Sequence, residues 1–166
     1  MCLANRSNRP ARPCVAGGFD RNLNRLARGK VKYVYQLPSP VTKSAVIADD
    51  DETIRSILQY KLSNAGFELR VCSDGEECRQ VLSDGSVTPD IVILDVMMPR
   101  MKGTQVLRAI RRGELAVDAT VPVVLLTSRG QEADVLEGLE AGASEYLTKP
   151  FSPSELLVRV NRLIEG

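Results

Sequence analysis

Histidine and tryptophan are absent from the 166-residue chain, and aromatic side chains make up only 4% of it. The first absence removes imidazole bases, imidazole metal ligands and any autophosphorylation on a histidine of this chain. Long apolar runs are missing too. The strongest, Ile91–Leu94 and Val121–Leu126, have the length of strands, which excludes a membrane-spanning helix and leaves no membrane partner to expect. Cysteine occurs four times, at Cys2, Cys14, Cys72 and Cys78, in spacings that fit neither a zinc pattern nor a dense disulfide framework. The expectation is a cytoplasmic protein with reduced thiols.

What is present is ordinary in amount: 43% apolar residues and a formal net charge of +1, which fits one globular domain with a tail. That small charge combines two unlike parts. Residues 1–43 carry nine basic side chains against Asp20 alone, a net of +8, whereas residues 44–166 carry 13 basic and 20 acidic groups, a net of −7. Pro10, Pro13, Pro38 and Pro40 interrupt the first part, which has little periodicity and reads as a disordered basic extension. The second part, 44–166, is strongly patterned and reads as the folded domain.

In that part, apolar runs of strand length alternate with amphipathic stretches of helical length, the mark of βαβ units around a parallel sheet. Strands are predicted at Ser44–Ala48, Glu68–Cys72, Asp90–Leu94, Val121–Leu126 and Ser144–Leu147. Helices are predicted at Thr53–Asn64, where Ile54, Ile57, Leu58 and Leu62 recur at helical offsets, and at Gly75–Leu82, Lys102–Arg112, Gln131–Ala141 and Ser154–Ile164. Gly66, Gly113 and Gly142 sit where helices should stop. The result is a (βα)5 pattern, an α/β doubly wound parallel sheet.

Such sheets bind ligands at the carboxyl ends of their strands, so the residues just after each strand matter most. Asp49, Asp50, Asp51 and Glu52 follow the first strand, Asp95 ends the third, Thr127 ends the fourth, and Lys149-Pro150 follows the fifth. Converging carboxylates repel one another and call for a cation; hard oxygen donors without histidine or cysteine specify Mg2+ or a similar ion such as Mn2+. Lys149 suits an oxyanion beside that metal, and Thr127 can donate a hydrogen bond to the same anion. Acidic groups, a lysine and a threonine, with no Ser/His pair, suit phosphoryl chemistry in which an aspartate is itself the nucleophile.

These residues and their surroundings resemble the receiver domains of two-component response regulators. The matching pieces are Val46-Ile47-Ala48-Asp49-Asp50-Asp51, Ile93-Leu94-Asp95-Val96-Met97-Met98-Pro99 with Gly103, Leu125-Leu126-Thr127-Ser128, and Gly142-Ala143 leading to Tyr146-Leu147-Thr148-Lys149-Pro150-Phe151. Each is a weak signal alone, and all four in order are specific. The resemblance covers residues 44–166 and implies a flavodoxin-like fold with strand order 2-1-3-4-5. It implies that Asp95 accepts a phosphoryl group from a sensor histidine kinase or a phosphotransfer protein, the chain catalysing its own phosphorylation and dephosphorylation. Asp50 and Asp95 would bind Mg2+ directly, Asp49 largely through a water, and the main-chain carbonyl of Met97 would complete the set. Lys149 would pair with Asp95 and then with the phosphoryl group, while Thr127 moves toward that group and Tyr146 turns inward. That motion would remodel the surface of the fourth helix, fifth strand and fifth helix for a downstream protein or a homodimer. Met97 and Arg129 would tune the lifetime of the acyl phosphate, and Lys149-Pro150 is expected to be cis.

Plainer readings fit other residues. Asp51 and Glu52 read as a solvated helix start. Met98 reads as packing, and Cys72 and Cys78 read as an ordinary strand end and helix residue. Ala48 and Glu52 depart from the common family pattern without touching the chemistry. The chain continues little past the fifth predicted helix, so output is expected from the domain's own surface. The basic residues of 1–43, with Tyr33 and Tyr35 among them, give a second reading as an arm that contacts nucleic acid or an acidic partner. Alternatively, Lys30–Leu37 is an edge strand, or translation starts at Val41 and the segment is upstream sequence. A third reading is a receiver fragment of a hybrid histidine kinase.

Overall fold

The computed structural model describes residues 42–128 and 140–166. Five parallel strands, β1 (Ser44–Ala48), β2 (Glu68–Cys72), β3 (Ile91–Asp95), β4 (Val123–Ser128) and β5 (Glu145–Lys149), lie in the order β2-β1-β3-β4-β5. Helices α1 (Glu52–Asn64), α2 (Gly75–Ser83) and α3 (Gly103–Arg111), and a C-terminal helix (Pro153–Glu165), flank them. Most of the predicted helix Gln131–Ala141 lies outside the described residues. None of the described helices is long and apolar enough to cross a membrane.

The period of two along each strand sorts the core into two layers. Val46 and Ala48 of β1, Val92 and Leu94 of β3, and Val123 and Leu125 of β4 face Cys78 and Leu82 of α2 and Val106, Leu107 and Ile110 of α3. The alternate residues, Ala45, Ile47, Ile91, Ile93, Val124 and Leu126, face Leu58 and Leu62 of α1 and Leu156 and Val160 of the C-terminal helix. Being covered on both faces is why β1, β3 and β4 read as unbroken apolar runs. Each fully buried leucine or isoleucine contributes about 1.5–3 kcal/mol. At the surface, Glu145 of β5 holds the C-terminal helix through Arg159 at 3.0 Å and Arg162 at 2.5 Å.

The strand order agrees with the sequence reading, most element limits shift by a residue or two, and three differences bear on the site or the core. Strand β4 starts at Val123 rather than Val121 and runs to Ser128. Pro122 has no N–H to give a ladder, although its carbonyl still accepts from Val92 at 3.0 Å. Strands β3 and β5 likewise extend to Asp95 and Lys149, so Asp95, Thr127 and Lys149 lie within strands rather than on loose turns. Ile57, placed by periodicity on the apolar face of α1, is 44% exposed. The helix ends meet their expectations: Asp51 caps α1 by accepting from Thr53 N at 2.8 Å and Ile54 N at 3.3 Å, and Gly66 leaves it at φ 88°.

The layer model is checked by substitution. Ile93→Ala, at a site with 0% exposure, should lower stability to urea by about 2–5 kcal/mol. Val158→Ala, at 69% exposure, should change it by no more than about 0.5 kcal/mol.

Candidate functional site

The register of the sheet brings the strand ends together. Ala48 pairs with Leu94, Asp95 with Leu126, and Ser128 with Lys149, so residues distant in sequence share one carboxyl edge. Oxygens of Asp49, Asp50 and Asp95 lie within 4.8 Å of one another. Asp49 and Asp95 are buried, and Asp50 is exposed. The Lys149 ammonium sits 2.7 Å from Asp49 Oδ2 and 2.7 Å from Asp95 Oδ1. Thr127 is buried at the end of β4, with its hydroxyl on the Ser128 carbonyl at a long 3.4 Å. The Lys149–Pro150 bond is cis, as expected.

Asp49 is held on every side. Its Oδ1 accepts from Asp51 N at 3.0 Å, its N–H donates to Cys72 O at 3.4 Å, and its carbonyl takes Arg55 Nη1 at 2.7 Å. The segment after Asp95 is fastened as tightly. Val96 N donates to Leu126 O at 2.8 Å, and Gly103 N donates back to Val96 O at 3.1 Å. Gly103 must be glycine there, because a Cβ would collide with the Asp95 carbonyl oxygen.

Two of the three carboxylates share one ammonium, and the electrostatics follow. Burial pushes the Asp95 carboxyl up to about 6; Lys149 opposes the shift, and the charges of Asp49 and Asp50 reinforce it. Burial also works against the Lys149 ammonium, but Asp49 and Asp95 outweigh it and hold its pKa above the ordinary lysine value. With Asp50 beside this pair, the pocket carries more negative charge than Lys149 balances, in a set of oxygen donors only. That donor set fits a hard divalent cation such as Mg2+.

The other expected residues divide. Met97 is 43% exposed at the rim, and Met98, at 7%, packs in the core. Tyr146 is half-buried and packs against the α2–α3 layer; it pairs with Leu125, while Thr127 pairs with Thr148, which puts Thr127 and Tyr146 over one face of the sheet. Arg129 lies outside the described residues. Cys72 and Cys78 are buried core thiols, and a side-chain hydrogen bond with Cys72, reinforced by burial, holds the Cys78 thiol well above its usual pKa. Sequence reasoning did not identify three residues: Arg55 on the Asp49 carbonyl, buried Asp74, and its ion-pair partner Arg100. No spacing connected Asp74, Arg55 or Arg100 to the site.

Fold and site define a doubly wound α/β protein with an oxygen-only acidic pocket and a lysine arm at the carboxyl edge of its sheet. A sequence profile of the response regulator receiver domain matches residues 45–161. The alkaline phosphatase synthesis transcriptional regulatory protein PhoP of Bacillus subtilis is 37% identical over 124 residues, 75% of this chain and 49% of that protein. Among solved structures, the receiver domain of Francisella response regulator 1452 superposes with a TM-score of 0.65 at 32% identity, covering 74% of this chain and 97% of that one. Chemotaxis protein CheY4 of Vibrio cholerae gives 0.65 at 30% identity, covering 74% and 98%. The chain belongs to the response regulator receiver domain family. It spans about half the length of the curated relatives it matches.

The Asp95 environment sets a sign for pH dependence. An unfolded aspartate releases its proton near pH 4, and folded Asp95 keeps it to about 6. Folding therefore takes up a proton between those values, and stability falls as pH rises through them. In metal-free buffer, Asp95→Asn should melt at a higher temperature than the wild type at pH 7, with the gap closing toward pH 4. A gap that does not vary with pH would contradict this origin.

Proposed function

We propose that the chain is a phosphoacceptor in which Asp95 takes a phosphoryl group from a phosphohistidine on a sensor histidine kinase or a phosphotransfer protein. The observation that carries this reading is the placement of Asp95, buried at the sheet edge beside Asp49 and Asp50 and 2.7 Å from Lys149. A carboxylate oxygen of Asp95 attacks phosphorus, the phosphorus–nitrogen bond breaks, and its electron pair returns to the imidazole nitrogen. Asp50 and Asp95 would hold Mg2+, or Mn2+, directly, Asp49 through a water, and Met97 through its main-chain carbonyl. Bound there, the cation supplies charge neutralisation for the phosphoryl oxygens. Asp95 must be ionised to attack, so transfer rises with pH through the Asp95 titration. Lys149 keeps the acceptor ionised and receives a phosphoryl oxygen, and Thr127 donates its hydroxyl to another.

The shared sheet face of Thr127 and Tyr146 supports a coupled switch, in which movement of one frees room for the other. The surface so altered includes β5, the C-terminal helix and the predicted fourth helix. A protein target or a second copy of the chain reads one of its states better. Met97 and Arg129 set how easily water reaches the acyl phosphate.

A second reading places the output on nucleic acid, and two observations favour it. The curated relatives are named as transcriptional regulators, and residues 1–43 carry a net charge of +8. On that reading the full chain binds DNA in a salt-dependent manner, and deletion of residues 1–40 removes the binding; binding that persists would exclude the arm.

Acetyl phosphate with Mg2+ should label the wild type, and Asp95→Asn should take no label. EDTA should abolish labelling of the wild type. Undiminished labelling of the variant would remove Asp95 from its role, and labelling in EDTA would remove the metal.

A further inference from the structure

The segment from Val96 to Lys102 carries the Met97 carbonyl, and its attachment to the rest of the fold is uneven. One end is fixed by main-chain bonds, Val96 N to Leu126 O at 2.8 Å and Gly103 N to Val96 O at 3.1 Å. The other end rests on the turn between β2 and α2. There Asp74, 1% exposed, caps α2 by accepting from Glu76 N and Glu77 N through Oδ1, each at 2.9 Å. Its Oδ2 takes the Ser73 hydroxyl at 3.3 Å and forms an ion pair with Arg100. A buried carboxylate requires such a partner, because an unpaired charge away from water is costly.

Two further features fit the same contact. Arg100 has φ 66°, the only positive φ at a non-glycine position among the described residues, so the backbone there adopts a conformation that favours glycine. Gly75, next to Asp74, has no room for a Cβ, which would collide with the carbonyl oxygen of Met101. Two consecutive turn residues thus grip two consecutive residues of the segment, one by charge and one by close approach. Met97 and Pro99 lie between this grip and the Val96 anchor, on either side of Met98, which packs in the core.

We propose that Asp74 and Arg100 are positioning residues that latch the segment after Asp95 onto the α2 turn and thereby aim the Met97 carbonyl at the cation pocket. The proposal rests on the reading of that pocket as a Mg2+-dependent phosphoacceptor site. Neither residue touches the reacting atoms. Releasing the latch leaves Asp95 and Lys149 on their strands and Asp49 and Asp50 directly after β1, and disturbs a single metal ligand. The defect belongs to metal affinity, and the rate at saturating metal is retained.

Three variants of the full chain separate this role from simple capping. Asp74→Asn keeps an oxygen that accepts from Glu76 and Glu77 but loses the charge. Arg100→Gly removes the guanidinium and relaxes the positive φ, and Arg100→Lys keeps the charge. Labelling by acetyl phosphate is followed against Mg2+ concentration, with melting temperature measured in parallel. Asp74→Asn and Arg100→Gly should each raise the half-saturating Mg2+ by about tenfold, the size expected when a partner behind a ligand is lost. The double variant should be no worse than the weaker single one, and Arg100→Lys should stay near the wild type. Unchanged half-saturation in both single variants overturns the latch, whatever the melting temperature does. A wild-type chain that takes no label overturns the phosphoacceptor reading instead. The latch is then judged by calorimetric Mg2+ binding, where equal affinity in wild type and Arg100→Gly rejects it.

Discussion

The Lys149 ammonium, bridging Asp49 and Asp95 at 2.7 Å each, is the interaction on which the site depends. Carboxylates from two strands cannot sit at one sheet edge unless something offsets their repulsion, and a single lysine offsets only part of it. Burial, reinforced by the remaining repulsion from Asp49 and Asp50, raises the Asp95 pKa to about 6. A cation relieves that repulsion, and so does a proton. The pocket is therefore poised toward charge-compensating ligands before any partner arrives.

The rest of the fold serves to keep that edge in place. Strands β1, β3 and β4 run parallel and are covered on both faces, so their carboxyl ends finish at one level and cannot slip without exposing apolar side chains. Among the described residues, the loops at that end are heavily bonded. Asp49 has its N–H, carbonyl and both carboxylate oxygens engaged, and the Val96–Gly103 bond closes the segment after Asp95. The rim is different in kind: Met97 and Ile57 leave large apolar side chains in solvent near a polar pocket.

Much of this was legible along the chain because it rests on local rules. Unbroken apolar runs of strand length marked β1 and β3, Asp51 and Gly66 marked the limits of α1, and the acids after β1 and at the end of β3 marked the edge. Where the sequence reading slipped, a non-local cause can be named. The start of β4 moved because Pro122 offers a carbonyl but no N–H to its neighbour. Ile57 matched the helical period of a core residue yet faces solvent, since only the packing of the C-terminal helix decides how wide a stripe of α1 is covered. Arg55, Asp74 and Arg100 gave no signal, because single charged residues in turns and helix starts are common and acquire meaning only from what they touch.

The sequence by itself determined the fold class, the family and the chemical character of the site. Those depend on which residue types follow which apolar runs, and such patterns survive without coordinates. The tertiary structure decided which of several acids share a site, which one burial makes reluctant to ionise, and which outlying charges hold the acceptor segment. Those properties depend on distance and exclusion of water, which arise only when parallel strands far apart in the chain are brought into register.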